Sequence, residues 1–322
     1  MILSVIIPTY NGRHLLEATL GNTIEKLTHP DHPIQWIVAD DASTDDSIPW
    51  LTHNFPEIQI VTSPKNRGFA GTVSTAATHA TGTHLLFLNN DMSIQSWDWT
   101  LLEPHFSNPD CFAVTPQIRR PSKNNAFESY TWGKFQGGWF SAESYVPSTM
   151  AETPLSDQPI LWACGGAMVV SRDKYESLGG FDTLFSPFYF EDMDLSYRAW
   201  KRGWTCHYLD FALIHHQHQA TIGRLFTKAH VDHIHLTHHY LFMWKNVDDL
   251  NFKIAHWLTV FIKIMTFQIG DIRAIWDAAK RLRLVIGYRR QRATPRISDR
   301  EILERITPSA PHDPLCAEGS QG

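Results

Sequence analysis

The chain has 322 residues, 43% of them hydrophobic and 19% charged, with a formal net charge of −5. This composition excludes a disordered chain and fits one large domain or a domain with an appendage. The mild acidity excludes a general attraction to nucleic acid, although the stretch 280–305 carries nine Lys or Arg against three Asp or Glu.

In chain order, residues 1–116 alternate strand and helix signals. Strands are predicted over 3–8, 35–40, 58–62, 84–88 and 111–115, and helices over 13–27, 45–55 and 69–80. Such alternation implies βαβ units and a mostly parallel sheet, whose ligands bind beyond the carboxyl ends of the strands. The first strand starts almost at the N-terminus with no basic n-region, so no secretory signal is expected. The four cysteines are widely spaced without a CxxC, which reads as reduced thiols in a cytoplasmic protein.

The strand ends carry the chemistry. After the first strand comes Pro8-Thr9-Tyr10-Asn11-Gly12, not GxGxxG, and no P-loop occurs anywhere, which disfavours dehydrogenases and kinases. The second ends in Asp40-Asp41-Ala42-Ser43-Thr44-Asp45. Ser43 or Thr44 reads as a helix cap, which leaves the Asp40–Asp41 pair free to accept hydrogen bonds from a base or ribose. Lys65-Asn66-Arg67-Gly68 follows the third strand and suits an anionic ligand, or else is a solvated loop. The fourth runs from an apolar stretch into Asn89-Asn90-Asp91. That triplet is either a turn or a carboxylate for a hard divalent cation.

Residues 117–160 break the rhythm and read as a long, aromatic-rich loop holding Phe127, Tyr130, Trp132, Phe135, Trp139, Phe140 and Tyr145. It either presents apolar ring faces to a ligand or covers the sheet as a local core. A strand is predicted over 161–170, carrying Cys164-Gly165-Gly166, then a short helix over 172–178. Phe188-Tyr189-Phe190-Glu191-Asp192-Met193-Asp194 opens a helix predicted over 191–202. Its acidic residues suit a helix N-terminus, and the aromatic wall before them suits a desolvated general base. A strand-like run, 209–214, precedes His215-His216-Gln217-His218.

From about Arg224 to Tyr288 the pattern is helical. His230, His233, His235, His238 and His239 fall on one predicted helix and read as a polar face rather than a metal site. Residues 254–269 are too short and too polar to span a membrane. With Trp244, Trp257, Phe261 and Phe267 among Lys and Arg, they suit a membrane surface or a lipid-linked acceptor, with core packing or dimerisation as the other reading. The tail after Pro308 is expected to fray.

These segments, in this order, resemble the family 2 glycosyltransferases of the GT-A fold, in particular the bacterial rhamnosyltransferase-like members that build surface polysaccharides. The matching pieces are 4–12, 40–45, 66–69, 88–91, 165–182 and 190–195, and they cover roughly residues 1–222. The resemblance implies a mixed, mostly parallel α/β sheet flanked by helices. Residues 1–222 would be the catalytic domain, with 1–116 its nucleotide-binding half and 117–222 its acceptor-binding half. Residues 223–307 would be a helical extension and 308–322 a tail.

The resemblance also implies roles. Pro8, Thr9, Asp40, Asp41, Arg67 and Asn90 would hold the nucleotide. Asp91, with His215 or His216, would meet Mg2+ or Mn2+; the spacing to Thr221 favours His216 without deciding it. Asn89 stands where the family often has an Asp. Asp192 would be the base, with Glu191 beside it, and Trp162, Gly165, Gly166 and Tyr189 would face the acceptor. The implied activity is inverting, metal-dependent transfer from a dTDP- or UDP-sugar to a glycan or lipid-linked acceptor, in a cytoplasmic protein touching the inner membrane face. A non-catalytic sugar-nucleotide or glycan-binding module is the alternative. A nucleotidyltransferase would need a Gly-rich basic loop where Pro8–Gly12 stands.

Overall fold

The computed structural model describes residues 1–123, 126–144, 157–217 and 226–306. Tyr145, His218, Thr221, Arg224, Cys316 and the expected tail lie outside the described residues.

The nucleotide-binding half forms as its apolar runs dictate. Strands β1 (Leu3–Thr9), β2 (Ile34–Asp40), β3 (Gln59–Thr62) and β4 (His84–Leu88) pair in parallel in the order β3-β2-β1-β4. Helices α1 (Arg13–Leu27), α2 (Ser47–Asn54) and α3 (Gly68–Ala77) make the crossovers. Side chains alternate between faces. Ile6, Ile37, Ala39, Leu85 and Phe87 therefore enter one apolar cluster, while Val5, Ile7, Val38, Leu86 and Leu88 enter the other. Burial on both faces is why these strands read as continuous apolar runs.

Beyond β4 the sheet turns mixed. Strand β5 (Met92–Trp97) and helix α4 (Trp99–His105) follow, then β6 (Cys111–Arg120) and the two-residue β7 (Ala126–Phe127). The expected long loop at 117–160 is corrected: within it, β8 (Thr131–Gln136) and β9 (Trp139–Ser144) form a hairpin. Its two-residue turn, Gly137-Gly138, has φ of +58° and +76°, the left-handed pair that a tight hairpin needs. The local-core reading holds for its buried rings. Phe127, Tyr130 and Phe140 are buried against the sheet, while Trp139 and Phe140 also line a cavity.

Strand β10 (Gln158–Pro159) precedes β11 (Ala167–Ser171). The strand predicted over 161–170 is likewise corrected, because 161–166 form an irregular, glycine-containing turn. Antiparallel β11 lies between β4 and β6. After α5 (Arg172–Ser177) and α6 (Glu191–Lys201), the long β12 (Thr205–His216) pairs parallel to β6 and antiparallel to β5.

Five more helices follow among the described residues: α7 (Lys228–Asn246), α8 (Leu250–Met265), α9 (Ile269–Lys280), α10 (Leu282–Gln291) and α11 (Asp299–Ile306). One apolar cluster runs from Ile6 to Ile306, so these helices share the core of the sheet. No described helix is long and apolar enough to cross a membrane.

Candidate active site

The predicted residues meet along the carboxyl edge of the sheet. Asp41 N–H donates to the Thr9 carbonyl (2.9 Å), and Asn90 Nδ2 donates to Thr9 Oγ1 (3.1 Å). A Cβ on Gly12 would lie 2.5 Å from Asn90 Nδ2 and 2.6 Å from Thr9 Oγ1, so only glycine lets the ends of β1 and β4 close up. The Asp40–Asp41 pair is spoken for in part. Asp40 accepts from Ser43 N–H, and Asp41 accepts from Arg67 N–H (2.7 Å) and Gly68 N–H (2.9 Å). Asp41 thus fastens the start of α3 to the end of β2, and Arg67 extends along α3 to Thr75 Oγ1 (2.9 Å).

The expected cap at Ser43 or Thr44 is corrected. Asp45 accepts from Ser47 N–H (3.1 Å) and Ser47 Oγ at the start of α2. Ser43 Oγ instead accepts from Asn11 N–H, and Asn11 Oδ1 accepts from Thr44 and Asp45 N–H. These polar residues stitch two loops together rather than ending a helix.

At the next strand end, Asn89 N–H donates to the Gly166 carbonyl (2.8 Å), which continues the β4–β11 pairing. Gly165 N–H then donates to Asp192 Oδ2 (3.0 Å), and Met193 N–H caps Asp192 Oδ1 (2.8 Å). The turn at 161–166 therefore ties the Asn89–Asp91 corner to the start of α6. Asp91 has one oxygen, Oδ1, buried without a hydrogen-bond partner, while its Oδ2 lies 3.3 Å from His216 Nε2. His216 Nδ1 meets Glu128 Oε2 at 2.9 Å, and Glu128 Oε1 lies 3.0 Å from Arg120 Nε. It is His216, not His215, that the structure brings to Asp91. Burial alone would lower the His216 pKa, but its contacts with Asp91 and Glu128 outweigh this and push it up to about 9. A buried carboxylate oxygen with an open lone pair, beside an imidazole backed by a second carboxylate, fits a divalent cation with the ligand–histidine–carboxylate arrangement common at metal sites.

The three acidic residues of α6 divide by direction. Asp194 points into the core, paired with Arg198 (2.7 Å) and Lys245 (2.7 Å) and accepting from Asn246 Nδ2 (2.8 Å). Burial works against its charge, but these cations prevail and hold its pKa below the ordinary value. Burial instead raises Asp192, against the two backbone N–H groups it accepts. Burial, then the charge of Asp192, raises Glu191 well above the carboxylate range, and Glu191 Oε2 has no hydrogen-bond partner. A carboxylate that ionises at cost is a stronger base when it does.

Asp192 opens into a cavity of about 450 Å³ lined by Trp139, Phe140, Trp162, Tyr189, His235 and His239 among others. Tyr189 and Phe190 have φ of +70° and +76°, a left-handed conformation that bulky residues rarely adopt and that is often kept at functional sites. His238 Nδ1, 3.0 Å from the Tyr189 carbonyl, braces that turn from α7. The polar helix face expected for the histidine cluster is corrected. His238 and His239 are buried, and His239 Nε2 meets the Phe140 carbonyl at 2.6 Å. Glu128 was not anticipated as a site residue, and His235 and His239 were expected only on a polar helix face. The Gly137-Gly138 hairpin signal would have placed Trp139 and Phe140 together; nothing local marks Glu128, whose contact with His216 spans 88 residues.

The model of the family described as "Glycosyl transferase family 2" matches residues 4–179, over half of the chain. The chain is 26% identical over 253 residues to an N-acetylglucosaminyl-diphospho-decaprenol L-rhamnosyltransferase of Mycobacterium tuberculosis, covering 69% of this chain and 78% of that protein. It is 27% identical over 191 residues to the Escherichia coli UDP-Glc:alpha-D-GlcNAc-diphosphoundecaprenol beta-1,3-glucosyltransferase WfgD, covering 59% and 64%. In three dimensions it is similar to GalNAc-T7, a structure solved with UDP, GalNAc and Mn2+ (TM-score 0.60, 15% identity). That likeness covers 76% of this chain and about half (48%) of the other, and it shows the GT-A fold.

Proposed function

The chain belongs to glycosyl transferase family 2, and on that premise we propose that this enzyme moves a sugar from a pyrimidine nucleoside diphosphate to a lipid-linked glycan, with inversion and with help from a divalent cation. The observation that carries this reading is Asp192. It is a carboxylate of raised pKa lining an aromatic cavity, fixed by Gly165 N–H and tied through the 161–166 turn to the Asn89–Asp91 corner.

Trp139, Trp162 and Tyr189 offer ring faces of the kind sugars stack on, with the acceptor hydroxyl directed at Asp192. As the acceptor oxygen bonds to the anomeric carbon, Asp192 takes its proton. The bond from that carbon to the diphosphate oxygen breaks on the opposite side, and attack from the back inverts the centre. Glu191 stays protonated beside Asp192 and orients the acceptor. Thr9, Asp40, Asp41, Arg67 and Asn90, with Pro8 behind them, hold the base, ribose and phosphates beyond the ends of the strands. Asp91 and His216 are the residues that would hold Mg2+ or Mn2+, which stabilises charge on the departing diphosphate; His215 lies one position off. The relatives named for diphospho-decaprenol and diphosphoundecaprenol acceptors support a lipid-linked acceptor. The large apolar faces left exposed on α8, α9 and α10 support seating on the membrane that holds it.

Asp192→Asn tests the reading. It should reduce transfer by about a thousandfold or more while calorimetry finds nucleotide affinity within a few-fold of wild type. Transfer at near wild-type rates would remove Asp192 from the mechanism. Likewise, EDTA should stop turnover, Mn2+ should restore it, and Asp91→Ala should not be rescued; turnover that persists in EDTA would exclude the cation.

A further inference from the structure

At the opposite end of β12 a second cluster lies outside everything described so far. His105 is the last residue of α4, Asp157 immediately precedes β10, and His207 is the third residue of β12. Both imidazoles converge on one oxygen. His105 Nε2 lies 3.0 Å and His207 Nδ1 2.7 Å from Asp157 Oδ1, and one donor atom from each of the three residues falls within 4.8 Å of the others. We propose that His105, Asp157 and His207 form a binding site for Zn2+ or a similar imidazole-seeking cation, distinct from the Asp91 corner.

The hydrogen-bond chain behind His207 supports this independently. His207 Nε2 lies 2.9 Å from Thr205 Oγ1, which is itself 3.3 Å from the Asp110 carbonyl. The ring is thus held at its remote nitrogen with Nδ1 turned to Asp157 Oδ1, and a contact of this kind behind the ring is how proteins orient a histidine ligand.

Two imidazoles and a carboxylate suit Zn2+ rather than Mg2+ or Ca2+, which take oxygen ligands. With metal–ligand bonds of about 2.0 Å, tetrahedral neighbours sit about 3.3 Å apart, so each imidazole nitrogen needs to draw back from Asp157 Oδ1 by only a few tenths of an ångström. Half-exposed Asp157 leaves a fourth position for water. Nine residues along β12 separate His207 from His216, roughly 30 Å at strand rise. The ion would therefore act as a clip joining α4, β10 and β12, not as a participant in transfer.

The test uses the full chain with Asp91→Ala, so that the other cation site is disabled. Zn2+ titrated by calorimetry should bind with one equivalent, and Co2+ should give the visible absorption of a nitrogen- and oxygen-ligated low-coordinate ion. Adding His207→Ala should weaken that equivalent by roughly a hundredfold or more, and His105→Ala should do the same if His207→Ala does not fold. A Zn2+-dependent rise in melting temperature should appear in Asp91→Ala and vanish in both double variants. Failure of Asp91→Ala to bind Zn2+, or retention of the equivalent in the double variants, would overturn the proposal. Neither result depends on transferase activity.

Discussion

At the scale of single residues, the acidic motif of α6 shows how three similar side chains acquire different work. The helix turns Asp194 into a cage of Arg198, Lys245 and Asn246, where it holds the element in place. Asp192 lines the cavity, and both it and Glu191 bear the cost of desolvation. A carboxyl whose pKa is raised on folding contributes stability only at low pH and loses it as pH climbs through the raised value. Glu191→Gln should therefore raise the melting temperature at pH 7 by about 2 °C, and the gain should shrink as pH falls through the raised value and vanish below about pH 4. Because burial raises Asp192 and raises Glu191 further, the acid limb of kcat/KM should lie above the ordinary carboxylate range and persist in Glu191→Gln. A limb that disappears with Glu191 would assign the titration to the wrong partner. The sequence marked all three carboxylates but not their division, since that depends on Lys245 and Asn246, more than 50 positions away.

At the scale of elements, the site is held by junctions between strand ends. The parallel half was legible because strands buried on both faces leave unbroken apolar runs at 3–8, 35–40 and 84–88. The mixed half was legible only in part: β6, β12 and α6 stand where 111–115, 209–214 and 191–202 were expected, while β5, α4 and the β8–β9 hairpin were not foreseen. Strand β5 has an exposed, polar face, α4 carries an internal Pro104, and β8 and β9 pair through side chains that look like an aromatic loop until their partners are known. The turn at 161–166 looked like a strand because its apolar residues are buried, yet its backbone is committed to Asp192 and Thr131. Gly165 is the pivotal position: an added Cβ would lie 3.1 Å from Asp192 Cβ. Gly165→Ala should push Asp192, the proposed base, by a few tenths of an ångström and lower kcat about tenfold or more, with donor affinity unchanged. An unchanged kcat would mean that Asp192 does not need that brace.

At the scale of the whole molecule, the helices after β12 have two different surfaces. Inward, Tyr240, Phe242, Val260, Ala274 and Val285 join the same core as the sheet, which accounts for the apolar periodicity of that region. Outward, Leu250 (68% exposed), Phe267 (81%), Ile269 (65%) and Trp276 (66%) stand in water. A run of this kind across three successive helices exceeds the scattered exposure ordinary on a soluble surface. Basic residues such as Arg273 and Arg283 share these helices, a make-up that suits the anionic membrane surface proposed for this face. Replacing Phe267 and Trp276 by Ser removes two exposed rings, each worth about 1.5–3 kcal/mol when buried, and leaves the core untouched. Co-sedimentation with anionic vesicles should then fall by roughly a hundredfold. Transfer to a water-soluble acceptor should keep its rate, while KM for an acceptor embedded in vesicles should rise. If vesicle binding is unchanged, the apolar face serves contacts between proteins instead, and light scattering at increasing concentration should find the wild type self-associating and the double variant monomeric.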